Sequence, residues 1–170
     1  MRYVAFLRGV SPMNCKMADL KNAFEKAGFE NVKTVLSSGN VAFDARAASV
    51  ASIAAKCEQA MERGLGRGFP AIVRKQSDLQ KLLDADPFAR HKAPAGAKRV
   101  VTFLRAAPAT QPELPLEVKQ ARILAIDGAE VFTAYVPQQN DPVFMNLIEK
   151  TFGKEVTTRT WETVGKCAVA

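Results

Sequence analysis

Tyr3-Val4-Ala5-Phe6-Leu7-Arg8 opens the chain, and Val101-Thr102-Phe103-Leu104-Arg105 echoes it well beyond the midpoint. Each stretch divides into two alternating residue sets, as a strand does when its faces meet different surroundings. The residues just after the first copy set the fold. Over residues 16–27, Met17, Leu20, Phe24 and Ala27 fall on one helical face. Gly28 stands where a left-handed residue ends a helix, and Phe29 is then spaced to touch Phe24. Residues 32–36 and 41–43 are β-rich and are split by Ser37-Ser38-Gly39-Asn40, which predicts a hairpin. A helix over 49–65, with Ile53, Cys57 and Met61 on its apolar stripe, leads to a strand over 69–74. The order β, α, β, β, α, β predicts four antiparallel strands with both helices on one face, the ferredoxin-like plan.

The second half reads as a worn repeat of the first. Ser77 and Gln80 have capping-box spacing before Leu82 and Leu83, and Pro87 blocks continuation, so a linking helix is expected there. Residues 86–98 read as loop and 100–104 as strand. The proline-rich stretch after that strand leaves room for at most a short helix between Pro115 and Gln120. Asp127-Gly128 marks a hairpin joining 122–126 to 130–136. Asp141 is placed to cap a helix with Pro142 as its first residue, and a short strand near Val156 and a helix over 160–168 finish the chain. The fold expected is α+β, two tandem ferredoxin-like βαββαβ subdomains over 1–76 and 77–170, each an antiparallel sheet with helices packed on one face. The strand echo supports duplication.

Of 170 residues, 48% are hydrophobic and 24% charged, a balance that supplies a core and speaks against disorder. Residues 1–75 hold 12 Lys/Arg against 6 Asp/Glu, hence +6, while 76–170 hold 12 against 11, hence +1. A field so lopsided favours anionic partners, whether a phosphate-bearing small molecule or nucleic acid. Cys15, Cys57 and Cys167 are widely spaced without a CxxC pair, so neither a disulfide framework nor a zinc site is expected. The apolar run near the start is too short for a signal segment or a membrane span, and a cytoplasmic protein without membrane association is the expectation. Phosphate-loop, dinucleotide, HExxH and EF-hand patterns are missing from the sequence, so no cofactor or metal is expected. Oligomeric state is left open by these features.

The expected topology gathers residues 8–16, 37–40 and 63–67 on one edge. Arg8 is able to grip an anion bidentately there, beside Gly9, and Lys16 adds charge at a helix start whose N–H groups point outward. Asn14, Ser38, Gly39 and Asn40 complete this candidate ligand site. The plainer reading makes Ser11 or Asn14 an N-cap and Ser38-Gly39-Asn40 ordinary turn residues. Catalytic groups are sparse. His91, the only histidine, sits in a loop, and Cys15 lies beside Lys16 near a helix start, a setting able to lower a thiol pKa but without a dedicated base. An enzyme acting on an anionic substrate is therefore one alternative. Single-stranded nucleic acid binding is another, with Phe6 and Phe43 on central strands as stacking surfaces, although both suit a core equally. Near the end, Trp161 either stacks on a ligand with Arg159 pairing beside it, or seals the terminal helix.

The chain resembles a bacterial family catalogued as domain of unknown function 1697. The resemblance rests on YVAFLRGV at 3–10, MADL at 17–20 with AGF at 27–29, SGNV at 38–41, Val100 to Leu104, and TRTWETV at 158–164. It implies two similar α+β subdomains and no established activity. The family's polar signature corresponds to Arg8, Gly9, Ser38, Gly39, Asn40, Arg159, Trp161 and Thr163. This chain departs from it with the short SPMNC segment after Gly9, and with Thr160 where many members carry Asn.

Overall fold

The computed structural model describes residues 1–139 and 141–170. Met1–Asp84 with Gly165–Ala170 form one compact unit and Ala85–Val164 a second. Among the described residues there are two antiparallel sheets and five α-helices.

In the first unit β1 (Arg2–Leu7), α1 (Met17–Lys26), β2 (Glu30–Val35), β3 (Asn40–Asp44), α2 (Val50–Leu65) and β4 (Ala71–Lys75) follow the expected order. The sheet runs β2-β3-β1-β4, every neighbour antiparallel. Alternation decides what faces the helices. Tyr3, Ala5 and Leu7 of β1 join Leu20 and Phe24 of α1, Phe43 of β3 and Ile53, Cys57 and Met61 of α2 in one core. The rings of Phe24 and Phe29 stand 5.5 Å and 4.5 Å from that of Phe43.

The end of α1 is built as its residues require. Gly28 takes φ +95°, its N–H donates to Glu25 and that of Phe29 to Phe24, and the Phe24 and Phe29 rings meet at 5.5 Å. These are the two hydrogen bonds and the apolar contact of a Schellman closure. Ser49 caps α2, accepting from the Ser52 N–H at 3.1 Å.

Ser77 does not cap the next helix. β4 passes straight into α3 (Gln76–Ala85), so Ser77 already lies inside the helix. The Gln76 side-chain amide donates instead to the carbonyls of Cys167 and Ala170, and that of Gln80 to Ala168. These bonds satisfy carbonyls left open at the end of a later helix. With the Arg2 Nε bond to the Ala170 carbonyl, they attach residues 165–170 to the first unit.

In the second unit a 3-10 turn (Pro87–Arg90) precedes β5 (Lys98–Leu104), β6 (Leu116–Val118), β7 (Ala121–Asp127), β8 (Glu130–Tyr135), α4 (Val143–Phe152), β9 (Val156–Thr160) and α5 (Trp161–Ala168). The sheet order is β6-β7-β8-β5-β9, again antiparallel throughout. Val100, Leu104, Ile123 and Val131 of this sheet pack with Phe144, Leu147 and Ile148 of α4. Two expectations are corrected here. No helix lies between Pro115 and Gln120; Leu116–Val118 is a strand, because Lys119 at φ +53° turns the chain back and β6 pairs with β7. Asp141 does not cap α4; the cap is Pro142 without a side-chain bond, and the Asp141 carboxylate meets Lys119 Nζ at 3.3 Å.

Candidate functional site

Three segments of the first unit meet beyond the end of β1. The Leu7 N–H donates to the Gly39 carbonyl at 2.8 Å, joining β1 to the β2–β3 turn, and the Arg8 N–H donates to the Pro70 carbonyl at 2.9 Å, joining it to the α2–β4 loop. The expected convergence of these loops is therefore present in the backbone.

Residues 9–16 are held by the Asn14 side chain together with backbone bonds from the Asn14 and Cys15 N–H groups to the Ser11 carbonyl. Asn14 accepts from the Ser11 N–H at 2.9 Å and donates to the Gly9 carbonyl at 2.7 Å, while Gly9 supplies a φ of +85° that favours glycine. Neither Ser11 nor Asn14 caps α1. The N-cap is Lys16, extended and without a capping side-chain bond. The N–H groups of Met17, Ala18 and Asp19 open the first turn, where no intrahelical acceptor exists.

The β2–β3 turn is also internally bonded. Asn40 is fully buried, and its amide nitrogen donates to the Val35 carbonyl at 2.9 Å and to Ser38 Oγ at 3.0 Å. Both amide hydrogens are thus used to shape the turn, in which Gly39 takes φ +87°. In the third segment Gly66 ends α2 at φ +68°, and Arg67 lies over the Phe69 ring at 4.7 Å. A cation over a ring gains about 0.5–1 kcal/mol at an exposed site, which favours this placement of the guanidinium.

Beside the start of α1 lies a cavity of about 320 Å³ whose wall includes Asn14, Cys15, Lys16, Asp19, Arg67 and Phe69. Of the expected site residues it brings together Asn14 and Lys16. Arg8, Gly9, Ser38, Gly39 and Asn40 lie in the same loop cluster but do not line this cavity. Arg67 was legible only as part of the 63–67 loop, since nothing in its sequence context distinguishes it from Arg63.

Cys15 has the opposite of an activated thiol. Burial raises its pKa, the Asp19 carboxylate raises it further, and Arg67 offsets part of this. The lowering expected from a helix start beside Lys16 is outweighed by burial and Asp19. Cys57 is pushed higher still, chiefly by burial and then by Glu58. Phe6 and Phe43 are fully buried and present no face to a base. Among the described residues no three His, Cys, Asp or Glu side chains are grouped to hold a metal ion, and no helix is long and apolar enough to cross a membrane.

Arg159 and Trp161 belong to the second unit. Arg159 curls back to donate to Thr157 Oγ1 and the Thr158 carbonyl. Trp161 packs edge-on against Phe88 at 5.1 Å, and Phe88 against Phe132 at 5.7 Å. It also borders a cavity of about 350 Å³ with Lys98 and Arg99, so its ring both seals and stays partly open. Thr160 Oγ1 accepts from the Thr163 N–H at 3.3 Å, the bond of an N-cap. Asn would serve that position as well as Thr does.

Two antiparallel sheets with helices laid on them define the class, an α+β protein with a cation-lined cavity at a helix start. A family model described as a protein of unknown function, DUF1697, matches residues 1–132, and the chain belongs to that family. No functionally curated protein matches it. The solved structure of the conserved bacterial protein SP0830 from Streptococcus pneumoniae is similar, with a TM-score of 0.69 at 18% identity, covering 99% of this chain and 96% of that one. At that identity the likeness speaks for the fold alone.

Proposed function

We propose that the protein binds a small phosphate-bearing or otherwise anionic molecule in the cavity beside α1. The observation that carries this reading is that Lys16 and Arg67 line one cavity with an α1 first turn that has no side-chain cap. Helix N–H groups and the positive end of the macrodipole favour an anion, and the two cations add charge-assisted bonds. Asp19 on the same wall opposes a bare polyanion and suits a ligand that also carries a hydrogen-bond donor. The first-half excess of positive charge would speed the approach of such a ligand.

We further propose that the two halves are tandem, duplicated ferredoxin-like units. Support comes from the order β2-β3-β1-β4 in the first and β7-β8-β5-β9 within the second, with nothing helical standing between β5 and β7 where α1 stands in the first half. Three free cysteines suit a reducing, cytoplasmic setting in a bacterium.

Thermal-shift titration with nucleotides, sugar phosphates and pyrophosphate tests the anion reading. At least one of these should raise the melting temperature, and Lys16→Gln and Arg67→Gln should each weaken that ligand about tenfold, the scale of one charge-assisted bond. No stabilisation by any of them at millimolar concentration, or stabilisation indifferent to both substitutions, would remove the reading.

A further inference from the structure

A second concave surface lies between α1 and α2. Gly64 of α2 sits directly on Ala23 of α1: a Cβ at residue 64 would be 2.6 Å from the Ala23 Cβ and 3.0 Å from its Cα. The helices therefore approach at backbone distance, and Ala23, Ala27, Ala60 and Gly64 are too small to fill the space above the seam. A groove of about 380 Å³ remains, walled also by Lys26, Lys56, Gln59 and Arg63.

The three cations are not neutralised. None of them joins an ion pair among the described residues. The four acids on the same helices are turned elsewhere: Asp19 lines the cavity at Lys16, Glu25 faces Lys21 at 3.8 Å, Glu58 accepts from the Ala71 N–H at 2.9 Å, and Glu62 Oε2 lies beside Gly68. An apolar floor under an uncompensated cationic rim discriminates by chemistry. A small hydrated anion gains nothing from the alanine methyls, and a neutral apolar molecule gains nothing from the rim.

We propose that this groove binds a small amphipathic anion, an apolar body laid along Ala27, Ala60 and Gly64 with its carboxylate, phosphate or sulfate group against Lys56 and Arg63. Its volume lies within the range of about 300–1,000 Å³ common to small-molecule sites. The site is separate from the cavity at Lys16 and does not depend on it.

The test is a two-dimensional NMR titration of the full chain with n-octyl phosphate, beside inorganic phosphate and n-octyl glucoside. Octyl phosphate should move the amide signals of Ala27, Ala60 and Gly64. Its affinity should fall at least tenfold in Lys56→Glu/Arg63→Glu, and likewise in Ala27→Leu, which fills the groove from an exposed position. Both other probes should bind at least tenfold more weakly than octyl phosphate. Lys16→Gln/Arg67→Gln should leave this titration unchanged while abolishing the response proposed for the first cavity, so each site fails or stands by itself. Shifts confined to other residues, equal binding of octyl glucoside, or affinity unaltered by the charge reversal would overturn the proposal.

Discussion

Gly39 closes on Val10: a Cβ at residue 39 would stand 2.8 Å from the Val10 Cβ and 3.1 Å from that of Leu7. The β2–β3 turn thus rests directly on the chain leaving β1, and the Leu7–Gly39 hydrogen bond fixes it there. Gly39→Ala meets both this contact and a φ of +87°. Left-handed backbone costs about 1–2 kcal/mol for an L-residue and overpacking about 1–3 kcal/mol, so a loss near 3 kcal/mol is expected in urea unfolding. Gly28→Ala is the control, with φ +95° but open space around it, and should lose only the backbone part. Equal losses at the two positions would show that Val10 gives way freely.

The same residues mark what the sequence could tell. The Tyr3/Ala5/Leu7 face of β1, the Phe24-Gly28-Phe29 helix end and the Ser49 cap are local and appear in the structure as read, although both faces of β1 are buried. The meeting of the three loops was readable from topology. What escaped was the use to which each polar group is put. Asn40 looks like a ligand-facing amide in sequence, yet its hydrogens close its own turn; Asn14 does the same for its loop. Leu36 at φ +60° and Lys119 at φ +53° carry no turn signature, because neither residue type favours the left-handed region they occupy. Gln76 and Gln80 bond to the end of a helix far along the chain, at Cys167 and Ala168, a partnership no local pattern announces.

Gly64 lies inside α2, where replacing glycine by alanine ordinarily gains about 1 kcal/mol. Here the added methyl would meet Ala23 at 2.6 Å. Gly64→Ala should therefore destabilise the protein by about 1–2 kcal/mol net, as overpacking outweighs propensity. Ala23→Gly combined with Gly64→Ala should recover part of that loss, a coupling that urea unfolding of all four chains would expose. Additive effects would mean the helices simply move apart.

Thr102 is fully buried on β5, and its hydroxyl has no hydrogen-bond partner among the described residues. An unsatisfied buried hydroxyl costs about 1–3 kcal/mol, and a same-shaped apolar replacement removes that penalty. Thr102→Val should raise stability by about 1 kcal/mol and leave binding at the first unit unchanged. Thr133 on β8 is equally buried but donates to the Val100 carbonyl at 2.9 Å, so Thr133→Val should destabilise instead. Opposite signs for the two threonines are the expected result, and matching signs would contradict this account.

Cys15 provides a pH-dependent probe of the first cavity. Its pKa lies above that of an ordinary thiol, through burial first and the Asp19 carboxylate second, while Arg67 pulls it down. Only the thiolate is alkylated, so iodoacetamide should modify Cys15 more slowly at about pH 8 than it modifies a small free thiol, with the rate rising only at higher pH. Asp19→Asn removes a negative charge that disfavours the thiolate, so the rate profile should move to lower pH. Arg67→Gln removes a positive charge that favours it, so the profile should move to higher pH. Cys57, buried and with a pKa raised much further, should stay unmodified in the folded protein, which peptide mapping by mass spectrometry would distinguish from Cys15. An anion bound beside Arg67 adds negative charge near the sulfur and should slow Cys15 again. A profile that ignores both substitutions would mean that neither side chain shares the cavity with the thiol.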